Sequence, residues 1–300
     1  MTYDVARIFL ANDIAESIFP DNSFIYKSID DAAFIKGKKV DLGQAGTIPT
    51  VVKNRTTYPL PVAKRVDTII TYDIDEYSTD AAQISWTEAL VAPYGKSQSI
   101  IRDHNGVLET ASAEGVLFKW APTSAGNIVR TTGSLRPASA PAATGTRKAM
   151  TRQDIINMKL KMDKDNIPQK GRVLMVGADM FADLLADTNL LNMYLMGQAL
   201  QATAELNKLF NFEIYERSQA CRYTTGLAPR DYGVAGAATD HSGALAWHPN
   251  FVRKAFNGVK VFLNPDQAAY QGDILSALTL VGASKRYTNG LGVYAIVEEA

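Results

Sequence analysis

The chain has 300 residues, 46% of them hydrophobic and 21% charged, which suits a globular protein with a full core in one large domain or two interleaved ones. Its 31 basic and 31 acidic residues cancel, which argues against a protein that holds nucleic acid mainly by charge. A single cysteine, Cys221, excludes an intramolecular disulfide and a multi-cysteine zinc site, and no apolar run reaches the roughly 20 residues that span a bilayer.

Met1 to Leu10 contains Asp4 and Arg7 and no long apolar run, so it does not read as a secretory signal, and a soluble intracellular product is expected. Val5, Ile8, Phe9, Ala15, Ile18 and Phe19 recur near helical spacing and predict an amphipathic helix over 4–19, stopped by Pro20. This helix is expected to be an arm that packs away from the main body. Residues 35–72 read as two extended runs around Gly43, Gly46, Pro59 and Pro61, a long hairpin-like ribbon. Such a ribbon is marginal alone because it lacks a covered face.

The charges of this region are segregated. Lys36, Lys38, Lys39, Lys53, Arg55, Lys64 and Arg65 stand against Asp41 alone, while Asp67, Asp73, Asp75, Glu76, Asp80 and Glu88 follow with no base before Leu90. Two readings are open: solvated faces that cancel locally, or a basic ribbon docking on the acidic surface of a neighbouring copy. On the second, the inter-subunit contacts would be Lys36, Lys38, Lys39, Lys53 and Arg55 against Asp73, Asp75, Glu76 and Asp80.

Residues 85–121 predict a long helix, interrupted near Pro93 and Gly95 and kinked at Asn105-Gly106. Residues 122–149, poor in large apolar side chains, read as a surface loop or linker. Thr151 and Asp154 predict a capped helix start, Val173–Val176 a buried strand, Gly177 the turn into a helix, Leu191–Leu209 another helix, and Phe212–Tyr215 a strand. Residues 218–243 read as a loop, Ala244–Trp247 as a strand, Pro249–Ala255 as a helix, Asn257-Gly258 as a turn, and Val259–Leu263, Ile274–Val281 and Val293–Val297 as strands. The elements mix without a regular βαβ period, which predicts an α+β architecture.

No catalytic constellation stands out. Gly290-Leu291-Gly292-Val293-Tyr294-Ala295 matches a dinucleotide pattern, yet too little chain follows for the helix and second strand the motif needs, so it reads as a turn between strands. His104, His241 and His248 lack metal spacing; Asp73, Asp75, Glu76 and Asp80 lack the glycine and terminal glutamate of a calcium loop. Arg222, beside Cys221, would lower the thiol pKa if it faced the sulfur. No cofactor, metal or catalytic residue is expected.

The order of segments resembles the major capsid proteins of tailed bacteriophages, which share the Hong Kong 97 fold. The resemblance rests on the N-terminal helix, the extended loop Phe34 to Tyr72, the long helix Trp86 to Trp120, the capped helices and strands Thr151 to Glu216, and the closing run Gly243-Ala244-Leu245-Ala246-Trp247-His248-Pro249-Asn250-Phe251-Val252, Val259 to Leu263, Gly272 to Val281 and Gly290 to Val297. It implies an N-terminal arm (1–34), an extended β-loop (35–72), a peripheral domain with a long spine helix and linker (73–149), an axial domain (150–285) and a C-terminal strand returning to the peripheral domain (286–300).

The implied function is that of a structural shell protein, not an enzyme. It would self-assemble into the pentamers and hexamers of an icosahedral virion capsid around a double-stranded DNA genome, without sequence-specific DNA binding. Identical subunits, a portal, and scaffolding or decoration proteins are the implied partners, with no membrane; a separate scaffold, or none, fits the roughly 35 residues before the loop. Assembly would take place in the bacterial host cytoplasm. An encapsulin-type nanocompartment shell shares the fold, and a soluble α+β enzyme with an unrecognised site, built on the acids at 73–80 or on Asp240-His241, is the alternative of another class.

Overall fold

The computed structural model describes residues 20–46, 50–59, 62, 64–86, 96–186 and 208–300. A 3-10 turn at Ser23–Tyr26 leads to strands β1 (Ile29–Asp30), β2 (Ile35–Lys36), β3 (Lys39–Gln44), β4 (Thr68–Ser78) and β5 (Ala82–Ser85). Helix α1 (Lys96–Trp120) follows, then β6 (Ile128–Arg130), β7 (Leu135–Pro137), β8 (Thr146–Lys148) and helix α2 (Arg152–Lys164). Strand β9 (Arg172–Gly177) turns directly into α3 (Ala178–Ala186). The rest is β10 (Lys208–Leu209), β11 (Phe212–Arg217), β12 (Cys221–Tyr223), β13 (His241–Trp247), β14 (Val252–Gln267), β15 (Gly272–Lys285) and β16 (Val293–Val297). The predicted helix over 4–19, and the one through Leu191 except its last residues, lie outside the described residues.

Two seven-stranded sheets carry the fold. The first runs β1-β14-β15-β4-β3-β2, with β5 also on β15; the second runs β10-β11-β9-β13-β16-β6, with β12 also on β13. The second sheet is covered on both faces, which is why β9, β13 and β16 read as continuous apolar runs. Val173, Met175, Leu245, Trp247 and Val293 face a cluster with α1 residues Ala113, Val116, Leu117 and Trp120. The alternate residues Leu174, Val176, Ala244, Ala246, Tyr294 and Ile296 face α2 and α3 through Ile155, Met158, Met162, Met180 and Leu184.

The two sheets meet at an aromatic seam. Trp120 and Trp247 are fully buried with ring centroids 5.4 Å apart, and Phe24 meets both edge-on, at 6.4 and 6.1 Å. Both indoles donate to backbone: Trp120 Nε1 to the Arg253 carbonyl at 2.9 Å, Trp247 Nε1 to the Lys27 carbonyl at 2.9 Å. The seam thus ties α1, the second sheet, β14 and the 20–30 segment together.

Several expectations are corrected. Helix α1 runs through Asn105-Gly106 without a break; burial of Leu108, Ala111 and Ala113 offsets the roughly 1 kcal/mol that glycine costs a helix. Pro249–Ala255 is not a helix. Only Pro249–Phe251 forms a 3-10 turn, started by the His248 ring accepting from the Asn250 N–H at 3.2 Å, and strand β14 begins at Val252, where Val252 and Ala255 are buried. Asn257-Gly258 is a bulge inside β14, with Gly258 at φ +77 and the register slipping between Phe256 and Val259.

The expected loops also hold strands. Residues 122–149 contain β6, which closes one edge of the second sheet, and the β7–β8 hairpin. Residues 218–243 contain β12 and the first three residues of β13. Asp154 caps α2 as expected, its carboxylate accepting from the Thr151 N–H at 2.8 Å. The Gly290–Gly292 stretch is the expected turn, with both glycines at positive φ.

Strand pairing cuts across the expected segments. Of residues 150–285, β9 to β13 lie in the second sheet while β14 and β15 pair with each other in the first, where β15 also pairs with β4 and β5. The C-terminal β16 pairs with β13 and β6, so it lies inside the second sheet and does not join the first.

Candidate functional site

The feature that stands apart from the body is the ribbon of residues 39–78. Its base is a regular antiparallel pairing of β3 with β4, from Lys39 opposite Asp73 to Gln44 opposite Thr68. Val40, Tyr72, Ile74 and Ala255 form a small core beneath it. Tyr72 Oη donates to Asp31 at 3.1 Å, and burial beside that carboxylate pushes the phenol far above its usual range.

Beyond the base the apolar side chains have no cover. Val51 and Val62 are 96% and 97% exposed, and Val52, Tyr58 and Val66 are exposed with them, as is Ile69 at the edge of the base. Scattered apolar residues on a surface are ordinary, but six between Val51 and Ile69 stand out.

The charges sort into two groups. Lys38 pairs with Glu76 at 2.8 Å, Lys39 with Asp73 at 3.8 Å, and Asp75 with Lys119 of α1 at 3.2 Å. These five expected contact residues therefore meet partners within the chain, at the ribbon base, where exposed pairs are worth little each. Lys53 and Arg55 sit near the tip, Lys36 at the end of β2 and Asp80 just after β4; among the described residues none of the four forms an ion pair. Sequence reasoning named the charges and missed the tip valines. Their signal was Val51-Val52 and Val62 in a stretch too rich in turn residues to lie in a core.

The residues that invited chemistry are engaged structurally. Asp240 is fully buried and accepts from Arg230 Nη2 at 2.9 Å and from the Ala237 N–H at 3.0 Å, so it serves Arg230 and not its neighbour His241. His248 bridges the Asn250 N–H and the Lys170 carbonyl, and His104 Nδ1 meets Thr79 Oγ1 at 2.6 Å. Cys221 is buried with its thiol on the Gly243 carbonyl at 3.2 Å, and burial pushes its pKa up to about 12. The lowering expected from Arg222 does not occur; that guanidinium donates to the Val234 carbonyl at 2.8 Å. Among the described residues no three His, Cys, Asp or Glu side chains group as metal ligands, and no helix is long and apolar enough to cross a membrane.

His241 has a consequence for stability. It is 1% exposed, and burial, Arg147 and Arg130 together depress its pKa against the opposing pull of Glu298. Burial likewise depresses His248, with Arg172 adding to it and the Lys170 carbonyl opposing. A base with a depressed native pKa leaves the unfolded chain binding more protons, so stability is full above the ordinary value near 6.5 and falls as pH drops toward the native value. The urea midpoint should therefore fall between pH 7 and 5, and fall less in His241→Gln. An identical pH dependence in both proteins would remove His241 from this account.

No protein-family model matches the sequence, and no curated protein sequence matches it. Solved structures do. The chain is similar to one in the capsid of the cyanophage P-SCSP1u (TM-score 0.69, 15% identity, covering 95% of this chain and 90% of that one). It is similar to a chain of Mycobacterium phage Che8 (TM-score 0.61, 18% identity, 96% and 94% covered) and to one in the capsid of a native GTA particle (TM-score 0.62, 11% identity, 96% and 100% covered). At these identities the likeness establishes the fold: α+β, of the Hong Kong 97 type found in tailed-phage capsids.

Proposed function

We propose that this chain is a major capsid protein, a structural subunit that self-assembles into an icosahedral shell. The observation that carries the reading is a ribbon whose apolar tip is uncovered, on a fold shared with phage capsids over nearly its whole length. Side chains such as Val51 and Val62 gain about 1.5–3 kcal/mol each when buried, and a second copy of the chain supplies that burial. Pentamers and hexamers, a portal, scaffolding or decoration proteins, a virion location and assembly in the host cytoplasm follow from this reading. So does a double-stranded DNA content held without sequence-specific contacts, which agrees with zero net charge.

In the same reading α1 is the spine helix, the first sheet with α1 is the peripheral domain, and the second sheet with α2 and α3 is the axial domain. The enzyme alternative loses its two footholds, since Asp240 and most of the acids at 73–80 are held in ion pairs. Nothing in the structure favours a nanocompartment.

Electron microscopy of the purified protein should show closed shells. A monomer at every concentration and salt would overturn the reading. Val51→Ser combined with Val62→Ser should cut shell yield at least tenfold while leaving the urea midpoint of the free subunit unchanged, and Lys53→Glu with Arg55→Glu should do so by a smaller factor. The paired Lys38 and Lys39 are expected to matter to the ribbon base instead. Full shell yield from the valine double variant would remove the ribbon tip from the interface.

A further inference from the structure

Three Asn-Gly pairs occur in the chain: Asn105-Gly106, Asn257-Gly258 and Asn289-Gly290. Such a pair carries a latent reaction, because glycine has no Cβ to shield its backbone nitrogen from the asparagine side-chain carbon just before it. The sequence gives the three equal standing. Their surroundings separate them.

Asn105-Gly106 lies inside α1, where the Gly106 N–H is committed to the helix ladder and Asn105 Oδ1 is buried. At Asn289-Gly290 both reacting groups are held. The Gly290 N–H donates to the Tyr287 carbonyl at 3.0 Å, and Asn289 Oδ1 accepts from the Leu291 N–H at 3.1 Å.

Asn257-Gly258 is the loose pair. Both residues are exposed, and among the described residues the Asn257 side chain makes no hydrogen bond. The β14–β15 register passes from Phe256 opposite Val281 to Val259 opposite Thr279 and assigns neither residue a partner. Gly258 sits at φ +77, and a Cβ built on it would meet nothing within 4 Å, so there is room for a ring to close. Thr279 Oγ1 holds the Gly258 carbonyl at 3.0 Å, a contact that engages neither the Gly258 nitrogen nor the Asn257 side chain.

We propose that Asn257-Gly258 is a self-modification site, where the folded chain deamidates ahead of its other two Asn-Gly pairs. The Gly258 nitrogen attacks Asn257 Cγ. The new C–N bond replaces the Cγ–Nδ2 bond, and ammonia leaves with the amide proton. Water then opens the five-membered imide on either side. Opening at the Asn257 backbone carbonyl gives isoaspartate, with one methylene more in the main chain; opening at Cγ gives aspartate. Either product adds a carboxylate to a chain of zero net charge. The extra methylene falls between registered pairs, where the ladder is already interrupted.

Peptide mapping of the full chain, aged at mildly alkaline pH, tests this. Tryptic cleavage puts each pair on its own peptide, 103–119, 255–260 and 287–300, each with a single asparagine. A zero-time sample subtracts what digestion adds. In the folded chain, peptide 255–260 should deamidate at least about fivefold faster than either of the others. In guanidinium chloride the three rates should converge. Equal rates in the folded chain, or another pair ahead, overturn the proposal. An ordering that persists in denaturant also overturns it, because local sequence and not the fold then sets the rates. Electron-transfer fragmentation of 255–260 should find isoaspartate among the products; aspartate alone would mean direct hydrolysis of the side chain and would overturn the ring route.

Discussion

Replacing Trp247 with alanine should unfold the chain at markedly lower urea, at a cost of about 3–5 kcal/mol. The indole is fully buried at the point where both sheets, α1 and the 20–30 segment converge. Its loss opens a cavity against Trp120 and Phe24, and it leaves the Lys27 carbonyl without the donor it has at 2.9 Å. Because total stability of a domain is commonly 5–15 kcal/mol, one such change removes a large share of it. Trp247→Phe, which keeps an aromatic ring and loses the donor, should recover more than half of the loss. A midpoint for Trp247→Ala within error of the parent would mean that the seam does not couple the sheets.

The second large effect is expected at Glu298. Its side chain is wholly buried just after β16, accepts from the Ser242 N–H at 2.9 Å and from Ser139 Oγ at 2.6 Å, and lies 2.8 Å from Arg136 Nη2. Arg136 in turn holds Asp183 of α3 at 2.7 Å. Removing one member of a buried pair strands the other, and about 3–5 kcal/mol is the usual cost. Glu298→Ala should therefore approach Trp247→Ala in severity. Glu298→Gln retains an acceptor for Ser242 and should cost clearly less. Equal midpoints for the two variants would show that charge, and not hydrogen bonding, carries the site. Cost below 1 kcal/mol in both would sink the argument.

What was legible in the sequence follows from what each segment packs against. Strands β9, β11 and β16 were readable because burial on both faces, or an apolar run bounded by turns, leaves a local mark. Val293–Val297 is the observed strand to the residue. The fold class and the likeness to phage capsid structures were readable from the order of elements. Strand β14 was not, beyond Val259–Leu263. Its outer half is exposed on both faces and carries a bulge at Gly258 and a proline at 265, so neither alternation nor burial marks it as one 16-residue strand. The short strands β6 and β12 escaped for a different reason: three residues hold no period, and only pairing with β16 and β13 defines them. The opposition of charges at the ribbon is a matter of sequence. That Lys38 and Lys39 meet Glu76 and Asp73 across a hairpin depends on register, which the sequence leaves open.

Strand β4 has a mechanical consequence. Its first six residues pair with β3 in the ribbon and its last five with β15, so one uninterrupted backbone belongs to both. Near its far end, Tyr77 presses its hydroxyl on α1 at Gly115, where even a methyl group would sit 1.9 Å from the oxygen. The base of the ribbon and the first sheet thus share one strut, and a load placed on β4 where it pairs with β3 is carried along the same backbone to its contact with the long helix.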